Sequence, residues 1–310
     1  MTINRFFDKR LVFTFRNVFK IIYGKKGKNN KKIILKNYPT RLLEKNVMTI
    51  YMMCANLIMQ SQINYEGGEK MYQIKLRFKL EYPFLPKEMD RLFTSFLKAA
   101  TKNISEDLYQ RLYDKSRSIM KMFTYAYFLP GAKFTDDKIL LDKDEFMVFF
   151  TDADDKEFLY LFNAFQTMKF RHYSMNKNSM QLISVYIQNI NDITDDEIII
   201  KMQSPLLARY HDNDTNSDSY YTFDKDEFSD VVKENVKIFI QRMNIPVETD
   251  DFSIQAIKGK KVVIPVFGRN TDASLGIFKL KGSVALLNVL QRSGIGVRRS
   301  TGNGKFEVLG

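Results

Sequence analysis

From residue 71 onward the chain switches between two hydrophobic periods, and the order of the switches sets out a fold. MYQIKLRFKLEYP, beginning at Met71, carries an apolar side chain at every second position, the spacing of a strand with one buried face. Pro83 and the Leu85-Pro86 pair end it. Pro86 suits the first position of a helix, and KEMDRLFTSFLKAATKN repeats Met89, Leu92, Phe93, Phe96 and Leu97 at helical spacing. A second short helix is predicted over Ser105–Tyr113. Strands follow at Lys121–Leu129, Lys138–Leu141 and Glu145–Phe150, and a helix across Asp154–Phe165.

The second half restarts with strands, SMQLISVYIQNI, DEIIIKMQSP and LLARYHD, then a polar loop (NDTNSDS) and YYTF. Asp224–Met243 is amphipathic, with Phe228, Val231, Val232, Val236, Phe239, Ile240 and Met243 on one face. DFSIQAI, KKVVIPVF and LGIFKLK read as three strands. Ser283 can cap a helix carrying Val284, Leu286, Leu287 and Leu290. A glycine-rich loop and a last strand, FEVL, close the chain. The order strand, helix, strands, helix is that of an antiparallel sheet with helices on one face. The expectation is therefore an α+β protein of two tandem ferredoxin-like (RRM-like) domains, 71–170 and 171–310, joined near Met168–Met175.

Charge changes the picture for the first seventy residues. The 310-residue chain has a net charge of +12, but residues 1–70 hold 14 Lys/Arg against 4 Asp/Glu, and the remainder holds 34 against 32. This leading segment has basic runs such as Lys25–Lys32 and no sustained period. It reads as a basic arm adding non-specific RNA affinity, or as translated leader. Glu66-Gly67-Gly68 just before Met71 favours the second, because those codons can spell a purine-rich ribosome-binding site, and Met71 is then the natural start. The single cysteine, Cys54, excludes a disulfide framework and a multi-cysteine metal site, and fits a cytoplasmic setting. The apolar run Val47–Met59 falls short of the roughly 18 residues that span a bilayer, so no membrane partner is expected.

The densest chemistry lies in SGIGVRRSTGNGKFEV, Ser293 to Val308. Gly294, Gly296, Gly302 and Gly304 open backbone angles closed to other residues and can turn N–H groups toward an anion. Arg298, Arg299 and Lys305 add cations, and Ser300 and Thr301 add hydroxyls, a set suited to a phosphate backbone. A dinucleotide-binding loop is excluded twice: GIGVRR lacks the third glycine, and the order here is helix, loop, strand rather than strand, loop, helix. No nucleotide P-loop motif is present, and neither DNDTNSD nor Asp152–Asp155 has the glycine and terminal glutamate of a calcium loop. No cofactor or metal is expected.

FKLKGSVALLNVLQRSGIGVRRSTGNGKFEV resembles the C-terminal signature of the CRISPR-associated endoribonucleases that cut repeat RNA, members of the RAMP superfamily. LPKEMDRLFTSFLKAA, KMFTYAYF and IIIKMQSPLLAR resemble other parts of these proteins, so the similarity spans Met71–Gly310. It implies metal-independent cleavage of repeat RNA by the neighbouring 2′-hydroxyl, with the guide RNA passing to a CRISPR effector complex. Aligned without gaps from the first helix, the family's tyrosine position falls on Lys98, its histidine position on Tyr113, and its cationic position among Arg117 and Lys121. The chain departs from the family here, because its two histidines, His172 and His211, lie elsewhere. The resemblance leaves two readings: a nuclease working through Lys98, Tyr113 and Lys121, or a repeat-RNA-binding protein of the same fold that does not cut.

Overall fold

The computed structural model describes residues 71–114, 116, 118–266 and 268–309. The leader or basic-arm expectation for residues 1–70 lies outside them.

Strand β1 (Met71–Leu80) turns Ile74, Leu76, Phe78 and Leu80 into the core, as its alternation requires. Helix α1 (Met89–Ile104) lays Phe93, Phe96, Leu97 and Ala100 on that face, and α2 (Glu106–Tyr113) starts where the Ser105 hydroxyl accepts a hydrogen bond from the Leu108 N–H at 3.2 Å. The chain continues through β3 (Phe123–Phe128), β6 (Glu145–Asp152), α3 (Asp155–Met168), β7 (His172–Met175) and β8 (Asn178–Ile190). The sheet order is β3-β6-β1-β8-β7, with β1 antiparallel to both β6 and β8. Three short strands, β2 (Phe84–Pro86), β4 (Lys133–Phe134) and β5 (Lys138–Leu140), form a small side sheet. An aromatic core binds helices to sheet: Phe78 stacks on Phe146 with ring centroids 4.8 Å apart and meets Phe96 edge-on at 5.2 Å.

The second half repeats the plan. Strand β9 (Glu197–Met202) leads through an inserted hairpin, β10 (Ala208–Asp212) with β11 (Ser217–Tyr221), to α4 (Phe228–Arg242). The long hairpin β12 (Ser253–Val266) with β13 (Arg269–Lys281) follows, then α5 (Val284–Ser293) and β14 (Phe306–Val308). The order β12-β13-β9-β14 matches β3-β6-β1-β8 strand for strand, giving two tandem ferredoxin-like folds. Among the described residues no helix is long and apolar enough to cross a membrane.

Two details differ from the sequence expectation. The boundary expected at 170/171 lies too early, because β8 pairs with β1 from Met71↔Ile190 to Leu80↔Met180 and so supplies the fourth strand of the first fold. The first fold therefore runs to residue 190. A basic, polar stretch before a strand resembles a linker, and only the long-range pairing shows that the chain has not yet left its first sheet. DFSIQAI and KKVVIPVF also form one continuous strand, because Gly259 and the bulge between Ala256 and Lys258 are absorbed into β12 opposite Gly276.

Candidate functional site

The glycine-rich loop leaves α5 at Gly294 and folds back on the protein. Ile295 N–H donates to the Gly304 carbonyl at 2.9 Å, Gly304 N–H to the Pro205 carbonyl at 2.8 Å, and Val297 N–H to the Leu207 carbonyl at 2.9 Å. The Lys305 carbonyl accepts from Gln203 and Ser204 N–H. On the other side, the Thr124 hydroxyl of β3 donates to the Asn303 carbonyl at 2.8 Å. Two glycines are dictated by these approaches. Gly304 sits at φ 73°, where an added Cβ would fall 1.9 Å from the Ile295 carbonyl oxygen; at Gly302 it would fall 2.6 Å from the Tyr125 ring.

The loop is thus a packed joint between the two folds, and this corrects the picture of an open anion cradle. Gly294, Gly296, Gly302 and Gly304 are buried, and the N–H groups of Gly302 and Gly304 are spent on protein carbonyls. Lys305 is buried, its Nζ donating to the Thr151 hydroxyl at 3.2 Å, and burial lowers its pKa to about 7 against a small opposing effect of Glu307. Arg299 is also buried. Its guanidinium lies 3.5 Å from the centre of the Phe239 ring with no carboxylate partner among the described residues, and burial lowers its pKa to about 9. Of the loop's cations, Arg298 is the exposed one, in the left-handed region at φ 58°, flanked by the half-buried Ser300 and Thr301. Charge counted along the sequence does not reveal which cations face inward.

The residues of the expected cleavage site come from three separate elements and meet at one ring. Lys98 of α1 has its Nζ 5.4 Å from the centre of the Tyr113 ring, at the end of α2, and Lys121, just before β3, has its Nζ 4.9 Å from it. The Tyr113 hydroxyl is buried without a hydrogen-bond partner, and burial raises the phenol far above its ordinary value. It can donate a hydrogen bond or a proton; it cannot serve as a base near neutrality. Burial lowers the Lys121 pKa, Glu157 raises it, and Lys98 lowers it. Arg117, the other cationic candidate, lies outside the described residues.

Sequence reasoning missed two carboxyl groups beside this cluster. Asp154 caps α3, its Oδ1 accepting from Glu157 N–H at 2.8 Å, and the order Asp154-x-x-Glu157 is that of a capping box. In a capping box the glutamate reaches back to the cap residue's N–H. Here that N–H donates instead to Asp152 Oδ1 at 2.9 Å, and Glu157 is released toward Arg111, 3.7 Å away. Asp152 Oδ2 and Glu157 Oε1 are both buried without a hydrogen-bond partner. Burial raises Asp152 well above the carboxylate range, and burial raises Glu157 to about 7, with Arg111 pulling it down and Asp154 pushing it up. From α5, Arg292 donates through Nε to the Asp152 carbonyl at 2.9 Å and pairs with Asp155. The signal available in sequence was the capping-box spacing.

Neither histidine joins the contacts of Tyr113. His172 is exposed on β7, and His211 binds Asp218 at 2.8 Å on the β10–β11 hairpin. Among the described residues no group of three or more His, Cys, Asp or Glu could hold a metal ion.

Two ferredoxin-like folds stand in tandem, joined through a glycine-rich segment between the last helix and the last strand, and solved Cas6 and RAMP proteins share this fold. Residues 185–308 match the family model "CRISPR associated protein Cas6, C-terminal". Among solved structures it is similar to a Cas6-related gene product from Pyrococcus furiosus, with a TM-score of 0.68 at 15% identity over 77% of this chain and 98% of that one. It is similar to "An RAMP protein binding different RNA substrates", at 0.65 and 17% over 77% and 100%, and to a Cas6 product complex, at 0.57 and 16% over 77% and 100%. A search of curated proteins finds no match.

Proposed function

We propose that this protein binds CRISPR repeat RNA and cleaves it without metal, with Lys98, Tyr113 and Lys121 as the reacting cluster. The observation that carries the reading is their convergence: three elements deliver two ammonium groups to one buried phenol, in a fold of the Cas6 type. The relatives described as binding RNA substrates and as a product complex support it.

In the reaction the 2′-oxygen attacks the adjacent phosphorus and gives up its proton to solvent water. The bond from phosphorus to O5′ breaks, and O5′ takes up a proton. The products are a 2′,3′-cyclic phosphate and a 5′-hydroxyl end. The Lys121 ammonium stabilises the charge that builds on phosphorus, and Lys98 supplies the proton to O5′. Arg298, Ser300 and the outer edge of the glycine-rich loop hold the RNA backbone near the joint, while Arg299 and Lys305 fix the loop from beneath. Released guide RNA then passes to a CRISPR effector complex.

The second reading is a protein that holds the repeat without cutting. The buried Tyr113 phenol favours it, since it cannot replace the histidine that resembling enzymes carry there. Single-turnover cleavage of repeat RNA by wild type and Lys98→Ala separates the two. Loss of cleavage with affinity retained supports the nuclease, whereas equal rates in both remove Lys98 from the chemistry.

A further inference from the structure

The reacting cluster is one end of a longer array. Lys102 lies one turn beyond Lys98 in α1, and its Nζ stands 5.7 Å from the centre of the Tyr109 ring, one turn before Tyr113 in α2. The two phenol rings are themselves 5.7 Å apart, inclined at 37°. Helices α1 and α2 therefore present the same unit twice, a lysine over a tyrosine: Lys98 on Tyr113 and Lys102 on Tyr109. The second unit is the open one. Lys98 is half-buried, whereas Lys102 is exposed beside a half-buried Tyr109. Next to it, Asn103 accepts a hydrogen bond from Arg171 at 3.0 Å and donates to the Thr167 hydroxyl at 2.8 Å, so a third cation is held at the end of α1.

These cations differ from others on the surface. Arg77, Lys79, Lys201 and Lys279, on the sheet strands, each pair with a carboxylate. Among the described residues Lys102 and Arg171 have no carboxylate partner. Glu106, four positions after Lys102, is bonded by Gln110 instead. Cations that no carboxylate neutralises, about 6 Å apart along a helix axis, suit neighbouring phosphates of one RNA strand. Building on the nuclease reading above, we propose that Lys102 binds the phosphate one nucleotide 3′ of the phosphate that Lys98 and Lys121 engage. Tyr109 is the positioning residue that holds the Lys102 ammonium in place. Lys98 and Lys121 share the Tyr113 ring and Lys102 stands on the next ring, so the row runs from the phosphorus past O5′ into the 3′ nucleotide. Arg171 continues it.

The test reads binding, so it stands whether or not the protein cuts. The full chain in EDTA is given repeat RNAs that each carry one uncharged methylphosphonate linkage, with a 2′-deoxynucleotide at the mapped cut where there is one. Wild type, Lys98→Ala and Lys102→Ala are compared across the series. Lys102→Ala is expected to weaken binding of unmodified repeat about fivefold and to lower the salt slope by about one. At one linkage, neutralisation is expected to cost wild type that same factor and Lys102→Ala nothing, because the contact is already gone. That linkage is expected one nucleotide 3′ of the linkage that answers to Lys98. Tyr109→Phe, which keeps the ring, is expected to behave as wild type, and Tyr109→Leu to lose most of the cost at that linkage. Equal costs in wild type and Lys102→Ala at every linkage overturn the proposal, as does a Lys102 linkage that does not adjoin one answering to Lys98. An uncut repeat with this pattern intact contradicts the nuclease reading alone and leaves the phosphate site standing.

Discussion

The glycine-rich loop and the Lys98–Tyr113–Lys121 cluster stand in opposite relations to the sequence. The loop is dense with recognisable residues within a dozen positions, yet two of its three cations and all four of its glycines are buried. The cluster has no motif at all. Its members are spread over 24 positions and two helices, and it assembles only because α1, α2 and the approach to β3 pack together. A compact motif can therefore record the demands of packing as much as those of a ligand, while chemistry can be gathered from residues that no pattern joins.

Four substitutions, and a fifth as comparison for the last, sharpen that contrast. The largest effect is expected at Gly304→Ala, which drives a Cβ into the Ile295 carbonyl at a positive φ; a loss of about 3 kcal/mol or more in urea unfolding would place the loop among the structural joints. Unchanged stability would mean that the loop yields easily. Next is Lys121→Ala, expected to slow cleavage by about 100-fold, roughly 2.7 kcal/mol of barrier, with little change in Tm. A drop in Tm without a drop in rate would make Lys121 a packing residue.

Lys305→Met should act through pH. In the unfolded chain this lysine keeps its proton to a pH of about 10.4, and in the fold only to about 7. Between those values the unfolded chain binds more protons, so this residue makes stability rise with pH from 7 toward 10.4 and contributes a constant cost below 7. The substitution should raise stability at neutral pH by about 2 kcal/mol and flatten the rise, as read from chemical unfolding at pH 7 and 9.5. The smallest effect is expected at Arg298→Ala, which should weaken repeat-RNA binding by about 1 kcal/mol and reduce its salt slope by about one. If Arg299→Ala matches it in salt slope with no loss of stability, the buried arginine leaves its place on Phe239 to meet the RNA.

Most of the architecture was legible because its periods are clean. The alternation in β1 and the apolar stripes of α1 and α4 survive intact in the structure. The domain boundary was not, because β8 owes its membership of the first sheet to pairing with β1 about 110 residues away, with β7 added beyond it, and local composition does not encode such pairing. At the site, the approximate positions of Lys98, Tyr113 and Lys121 came from the resemblance, and the structure supplied their meeting. Glu157 was hidden for a specific reason. Its capping-box spacing looks like an ordinary helix start, and only the competing bond from Asp154 N–H to Asp152 shows that the glutamate turns to Arg111 instead.

The most direct test of cleavage is incubation of the full chain with the repeat RNA of its own genome in EDTA, followed by identification of the product ends. The expected result is one cut that leaves a 2′,3′-cyclic phosphate and a 5′-hydroxyl. Tight binding with no cut, under conditions in which a related active enzyme cuts its own repeat, would contradict it and leave a protein that holds repeat RNA without processing it.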